Sequence, residues 1–435
     1  MAAAGVALLA LIGADRALGY DAAVTVRNFV LTPSVPDPFR RQAVFNNHPF
    51  FSFLEHVVVD LTGSADEVSL RVLPALFAAA GVGLVVWAVA RRRSLRAAAA
   101  AGVVLACNPT FLTTAREVRG YSLLVLCAVA SSLLVFSSRR SAAWAYTAFA
   151  AVGLATHLYM AAVLAGHAAI LWRREPLRPW WPRWATALLA GLVANMPLLT
   201  GRAVADRARL FRPGFPAQLV VALGGGTWIA LALLAPVLVL GWRAADPVLR
   251  RRGAAFVAGV VGVLWMVAPT DLYPRFFVWL VPAAAWVVAA GVERTPRLGP
   301  LLVAASVAAS LASLPPLMAD ELANRKAAAL VEPLRAEGRH VCGLGWSAEA
   351  FGPYLDVVPT GRLAGCDVAV VLVPSAHPQL VEQADRYFCV RRRLDALVPW
   401  ILYMEPGPCL GRPGAPSPAP AGAAPRPQRP GAGAP

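Results

Sequence analysis

Apolar residues in this chain gather into runs of about fifteen to twenty, each closed by a short polar stretch. Runs on that scale predict membrane-crossing helices rather than the amphipathic stripes of a soluble fold. They fall at residues 68–90, 97–112, 121–136, 142–156, 160–172, 184–200, 219–241, 254–269, 276–292 and 301–316, and with the first run, 2–13, they make about eleven. Several are short, which a helical bundle tolerates where it thins the bilayer or where helices end inside a cavity. Either the first helix continues through Leu18, carrying Asp15 and Arg16 to the interface, or the chain starts upstream. No basic front end or cleavage site marks that run as a signal peptide.

One polar stretch is far longer than the rest. Between Gly13 and Gly63 the chain carries Asp21, close behind the first helix, and then Asn46-Asn47-His48-Pro49 opening an aromatic run that reaches Glu55 and His56. So long an interruption in so apolar a chain predicts a working surface rather than a connector. Proline is preset for a first helical turn, so His48-Pro49 predicts a helix start, with Glu55 and His56 expected to face solvent.

Beyond residue 316 the pattern changes. A helix is expected over 320–337, short strands at 340–344, 367–373, 387–394 and 400–404, and further helix at 347–354 and 378–384. The expected organisation is a helical membrane module over 1–317 with a first outer loop at 14–66, a small α/β domain outside the membrane at 318–410, and a Pro/Ala/Gly-rich disordered tail at 411–435.

Composition agrees: 58% of the 435 residues are hydrophobic and only 15% charged, which fits a polytopic membrane protein better than a soluble domain. The net charge of +16 does not point to nucleic acid, because the arginines sit in clusters between apolar runs. Arg91-Arg92-Arg93, Arg139-Arg140, Arg173-Arg174 with Arg178 and Arg183, Arg250-Arg251-Arg252, and Arg294 with Arg297 share one side, which the positive-inside rule makes cytoplasmic. That orientation puts the amino end inside and the C-terminal region outside a multi-pass plasma (inner) membrane protein. Arg40, Arg41, Arg116, Arg119, Arg202, Arg207, Arg209, Arg212 and Arg275 then lie on the outer side. An anionic ligand such as a lipid phosphate would account for them, as would snorkelling at helix ends. Cys107 and Cys127 fall in apolar runs as packing residues, while Cys342, Cys366, Cys389 and Cys409 lie outside. Of the three pairings those four allow, Cys342–Cys366 with Cys389–Cys409 is expected.

The candidate chemistry lies at the outer helix ends. Asp21 suits a general base or a helix cap. In Arg116-Glu117-Val118-Arg119-Gly120-Tyr121, an acid between two guanidinium groups suits either a phosphate grip or a local ion pair. His157, Tyr159 and Tyr273-Pro274-Arg275-Phe276-Phe277 add further donors. There is no Walker loop, dinucleotide fingerprint or zinc-spaced motif, and Gly224-Gly225-Gly226 reads as a packing or re-entrant turn.

Taken in order, these motifs resemble the GT-C glycosyltransferases, in particular the protein O-mannosyltransferase and lipid A aminoarabinose transferase branch. The resemblance rests on the acid after the first helix (Asp21), the His48-Pro49 helix start, Leu70-Arg71 opening the second span, Arg119-Gly120-Tyr121, Thr156-His157 with Tyr159, and Pro274-Arg275-Phe276, over residues 13–292. It implies an enzyme that moves a hexose or pentose from a polyprenyl phosphate to an acceptor hydroxyl at the outer face, inverting the anomeric centre. Asp21 would match the catalytic acid. Arg119 and Arg275 would match positions near the donor phosphate, with Arg71, His157 and Tyr159 as wall residues and His48, Glu117 and Tyr121 on the acceptor and loop side. The family pattern has a second acid after the first, where this chain has Ala22. A lone carboxylate disfavours a divalent metal, so no cofactor is expected. The partners implied are the polyprenyl-linked sugar, membrane lipid and a protein, lipid or glycan acceptor, with no nucleic acid. A lipid-linked-sugar flippase and a catalytically lapsed scaffold are the competing classes.

Overall fold

The computed structural model describes residues 2–12, 14–15, 18–40, 47–135, 137, 139–171, 180–197, 214–245, 247, 250–251, 253–254, 257–261, 273–314, 329–344, 358–360, 366–372, 388–394 and 400–406. The chain divides into two compact units, Met1–Ala328 with Glu349–Asp356 and Ala329–Ala348 with Val357–Pro435.

The first unit is helical. In chain order it contains α1 (Ala2–Leu11), α2 (Tyr20–Thr25), α3 (Asp37–Arg40), α4 (Pro49–Thr62), α5 (Glu67–Arg92), α6 (Leu95–Ala106), α7 (Pro109–Arg116), α8 (Tyr121–Leu134), α9 (Arg140–Thr156), α10 (Met160–Leu171), α11 (Trp181–Ala194), α12 (Phe215–Leu223) and α13 (Trp228–Ala244). A 3-10 turn over Pro274–Leu280 then leads into α14 (Val281–Arg294), and α15 (Leu298–Ala312) follows. Among the described residues two helices are long and apolar enough to cross a membrane by length and composition, Glu67–Arg92 and Pro274–Arg294.

Two of the expected single spans are broken. The run 97–112 is α6 and α7, bent by 61°, and the run 219–241 lies across α12 and α13, bent by 68°. At the first elbow Pro109 cannot continue the helix behind it, and Asn108 restarts the chain by accepting from the Phe111 N–H at 3.0 Å. At the second, Gly225 and Gly226 adopt φ of 113° and 82°, and Thr227 caps α13 through the Ala230 N–H at 3.0 Å. A helix broken in an apolar setting exposes carbonyls that need partners. Asn108 Nδ2 donates to Ala222 O at 2.8 Å and Ser310 Oγ to Gly225 O at 2.8 Å, while Ser306 Oγ adds a second donor to Ala230 O inside α13 at 2.9 Å.

Helix packing uses small residues where backbones must approach. A Cβ on Gly241 of α13 would stand 1.9 Å from Val287 O of α14, and one on Gly291 of α14 would stand 2.0 Å from Val237 O of α13. The two helices therefore cross with their backbones in contact. At the arginine-rich ends, Glu293 accepts from Arg93 at 2.7 Å and from the Ser94 N–H at 3.0 Å, tying α14 to the α5–α6 turn.

The long interruption after α1 is structured rather than open loop, with α2, a π-helical turn at Val26–Val30, α3 and α4. His48 precedes α4 and Pro49 starts it, as expected. The expectation that Glu55 and His56 face solvent is overturned: they are 0% and 3% exposed. The reason is that α4 packs a face against α5, α9 and the 26–30 turn. His56 Nδ1 donates to Val30 O at 2.8 Å, and burial pushes the Glu55 carboxyl well above the usual carboxylate range.

The second unit holds a helix at 329–336 and a five-stranded sheet: β1 (Val341–Leu344), β2 (Val358–Thr360), β3 (Val368–Leu372), β4 (Phe388–Leu394) and β5 (Trp400–Pro406). The strand order is β2-β1-β3-β5-β4, parallel across β2, β1 and β3 and antiparallel beyond. Four of the strands lie where they were expected; β2, three residues long, was not expected. Cys342 and Cys366 form the expected disulfide. The partnership of Cys389 with Cys409, the helices at 347–354 and 378–384, the tail from 411, most of the run 254–269, Asn46, and arginines 41, 173, 174, 178, 202, 207, 209 and 212 lie outside the described residues.

Candidate functional site

Three short elements bring the candidate residues together. Asp21 stands in the first turn of α2, where a carboxylate is favoured by the helix dipole. Arg119 lies in the turn between α7 and α8, and Arg275 in the first turn of the Pro274–Leu280 segment, which Pro274 opens. Asp21 Oδ2 accepts from Arg119 NH1 at 2.9 Å and also from Arg275 NH2. Glu117 stands 3.7 Å from Arg275 NH1 and 3.9 Å from Arg119 NH1, so two acids and two guanidinium groups alternate around a ring of zero formal charge. The Arg119 side chain is 2% exposed and that of Arg275 30%, so Arg275 is the more accessible of the two cations.

Aromatic faces hold both guanidinium groups in place. Arg119 lies 4.9 Å from the centroid of Tyr121, and Arg275 lies 5.2 Å from Tyr273 and 5.9 Å from Phe276. Behind them His48 packs against Tyr121 and His157 at 5.0 and 4.9 Å between centroids, and Tyr159 packs against His157 and Phe276 at 5.0 and 5.7 Å. The motif residues Asp21, His48, Glu117, Arg119, Tyr121, His157, Tyr159 and Arg275 thus gather in one region. Arg71 and Arg116 turn elsewhere, onto the carbonyls of Ala14 and Ile12, each at 2.5 Å. Ala22, where the family pattern has a second acid, is buried in an apolar cluster with Leu18, Val26 and Phe51. Among the described residues no three His, Cys, Asp or Glu side chains gather into a set that could hold a metal ion.

Gly120 is fixed by close approach. A Cβ there would lie 2.5 Å from Thr156 Cγ2 and 3.0 Å from His48 Cβ, so the Arg119 turn rests directly on the ends of α9 and α4. Gly120→Ala is expected to cost about 1–3 kcal/mol through overpacking, read as a lower thermal midpoint in detergent.

Burial, with the nearby Arg119 charge, lowers the His157 imidazole to about 3 and holds that of His48 well below its ordinary value. Both rings are therefore neutral near pH 7. An imidazole that binds its proton less readily folded than unfolded contributes stability that is complete above about 6.5 and is lost as pH falls toward the folded value. Thermal midpoints are expected to fall between pH 7 and 5, and His157→Gln is expected to flatten that slope by up to about 1.4 kcal/mol per pH unit.

Sequence reasoning missed two parts of this arrangement. The pairing of Glu117 with Arg275 joins residues far apart in the chain and has no local signal. The use of Tyr273 and Phe276 as platforms for Arg275 is visible only as aromatics flanking an arginine.

Residues 46–200 match the model of the dolichyl-phosphate-mannose-protein mannosyltransferase family. Among solved structures, ArnT from Cupriavidus metallidurans in the apo state is 14% identical, with a TM-score of 0.59 over 92% of this chain and 96% of that one. The same protein bound to undecaprenyl phosphate gives 14% identity and a TM-score of 0.60, over 92% and 97%. At that identity what is shared is the fold. No curated protein matches the chain by sequence.

Proposed function

We propose that the chain moves a sugar from a polyprenyl-phosphate donor to an acceptor hydroxyl at the outer membrane face, inverting the anomeric centre, with Asp21 as general base. The observation that carries this reading is the meeting of Asp21 with Arg119 and Arg275 on a single carboxylate oxygen. Undecaprenyl phosphate bound to a protein of the same fold supports a lipid phosphate as the donor's head.

In this reading the donor phosphate draws N–H groups of Arg275 from Asp21 and Glu117, and the freed carboxylate faces the acceptor. The acceptor oxygen bonds to the anomeric carbon as the carbon–oxygen bond to phosphate breaks. The bonding pair stays with the phosphate, and the hydroxyl proton passes to Asp21. Phosphate is already a good leaving group, so positioning, a base and stabilisation of the departing charge suffice. Tyr121, Tyr159, His48 and His157 wall the site as neutral groups, and Glu117 holds Arg275 in line. With Ala22 beside a lone acid, the chemistry is metal-independent and runs at full rate in chelator.

The two broken helix pairs favour a second reading, because discontinuous helices are also a transporter device. One experiment separates the two. Purified protein is reconstituted in vesicles with a panel of labelled polyprenyl-phosphate sugars, and sugar transfer, donor hydrolysis and lipid flipping are scored together. Transfer or hydrolysis supports the enzyme; flipping alone removes it.

A further inference from the structure

We propose that Arg71 and Arg116 are positioning residues for the transfer reaction: they clamp the chain just beyond α1 and so fix where Asp21 stands, a role that rests on the glycosyltransferase reading. The end of α1 needs such a device. The last carbonyls of a helix have no N–H partner within it, and the chain here is buried at Ala10 and Ala14 while the Ile12 side chain between them is 53% exposed. Arg71 NH1 donates to Ala14 O and Arg116 NH1 to Ile12 O, both at 2.5 Å. The two arginines come from α5 and α7, which both pack against α1, and they are 1% and 3% exposed. Burying a guanidinium in a membrane protein is costly, so two of them converging on three residues of backbone calls for a function.

The position of that backbone supplies it. Ala14 precedes Asp21 by seven residues, so the clamped stretch leads directly into the helix that presents the base. Arg116 and Arg119 belong to adjoining positions of one helix end and turn. Through Arg116 this segment grips the chain before α2, and through Arg119 it grips the carboxylate of α2. The base and the buried cation that holds it are thereby registered on one frame, while Arg71 holds the same stretch from α5. Arg71 acts through Asp21 and not on the donor phosphate.

The test uses the full chain in nanodiscs with Arg71→Gln, Arg116→Gln, Arg71→Lys and Arg116→Lys. Undecaprenyl phosphate alone serves as the binding probe, and hydrogen exchange and sugar transfer are read on the same samples. The glutamine variants are expected to raise amide exchange about tenfold or more across residues 12–25 while exchange in α5 stays as in the wild type. Turnover is expected to fall about 10²-fold from misplacement of the base, with donor KM and undecaprenyl phosphate affinity held within about twofold. The lysine variants, which can still donate to the same carbonyls, are expected to recover most of both losses. Weakened lipid-phosphate binding with unchanged exchange at 12–25 would make these arginines ligands and overturn the proposal. So would exchange that rises equally in α5, since the effect would then be on the whole fold. Exchange and lipid binding need no turnover, so a wild-type protein that transfers nothing counts against the glycosyltransferase reading while the clamp is still read.

Discussion

Asp21→Asn is expected to lower the transfer rate by about 10²–10⁴-fold, the usual contribution of a positioned general base. The amide keeps the shape of the carboxylate and can still accept from Arg119, so the local packing survives while proton acceptance is lost. Donor binding should change in the opposite sense. With its acid removed from competition, Arg275 is more available to a phosphate, and polyprenyl-phosphate affinity is expected to hold or improve as turnover collapses. Measuring the dissociation constant and single-turnover rate on the same preparation checks both. Turnover that survives the substitution would remove Asp21 from the chemistry.

Arg275→Gln carries the second large effect. Arg275 is the more exposed of the two cations on Asp21, at 30% against 2% for Arg119. Loss of a charge-assisted contact to phosphate is expected to cost about 1.5–3 kcal/mol, or roughly 10–150-fold in affinity for a polyprenyl phosphate. The same variant should show a weaker dependence of binding on salt, because fewer charges remain to be screened. Arg119→Gln should behave differently. Removing one member of a buried ion pair costs about 3–5 kcal/mol, so its dominant readout is thermal stability and not affinity. If Arg275→Gln left lipid-phosphate binding unchanged, the phosphate would have to sit elsewhere.

The local order of the motifs was legible in the sequence because helix ends announce themselves. His48-Pro49 and Pro274 each start a helical segment where the chemistry of proline says they should, whereas Asn108-Pro109 breaks a run that reads as a single span. The conjunction of Asp21, Arg119 and Arg275 followed from the ordered family resemblance; no residue spacing could supply it across 254 positions. What stayed hidden was direction. Arg116 and Arg119 look equivalent in sequence, yet one turns to a backbone carbonyl and the other to a carboxylate. Glu55 looks like a solvent-facing acid because it shares a helix face with Ser52, His56 and Asp60, yet Ser52, Glu55 and His56 are on the face that α4 buries.

The elbow between α12 and α13 has a consequence for biosynthesis. Its Gly225 carbonyl takes its hydrogen from Ser310, on a helix made some eighty residues later, and Ser306 of that helix adds a second donor to Ala230 O. Until that helix leaves the ribosome, the nascent elbow holds a carbonyl that hydrocarbon cannot satisfy. The elbow is therefore completed only near the end of insertion, and a chain truncated ahead of Ser306 should be retained by the insertion machinery or degraded.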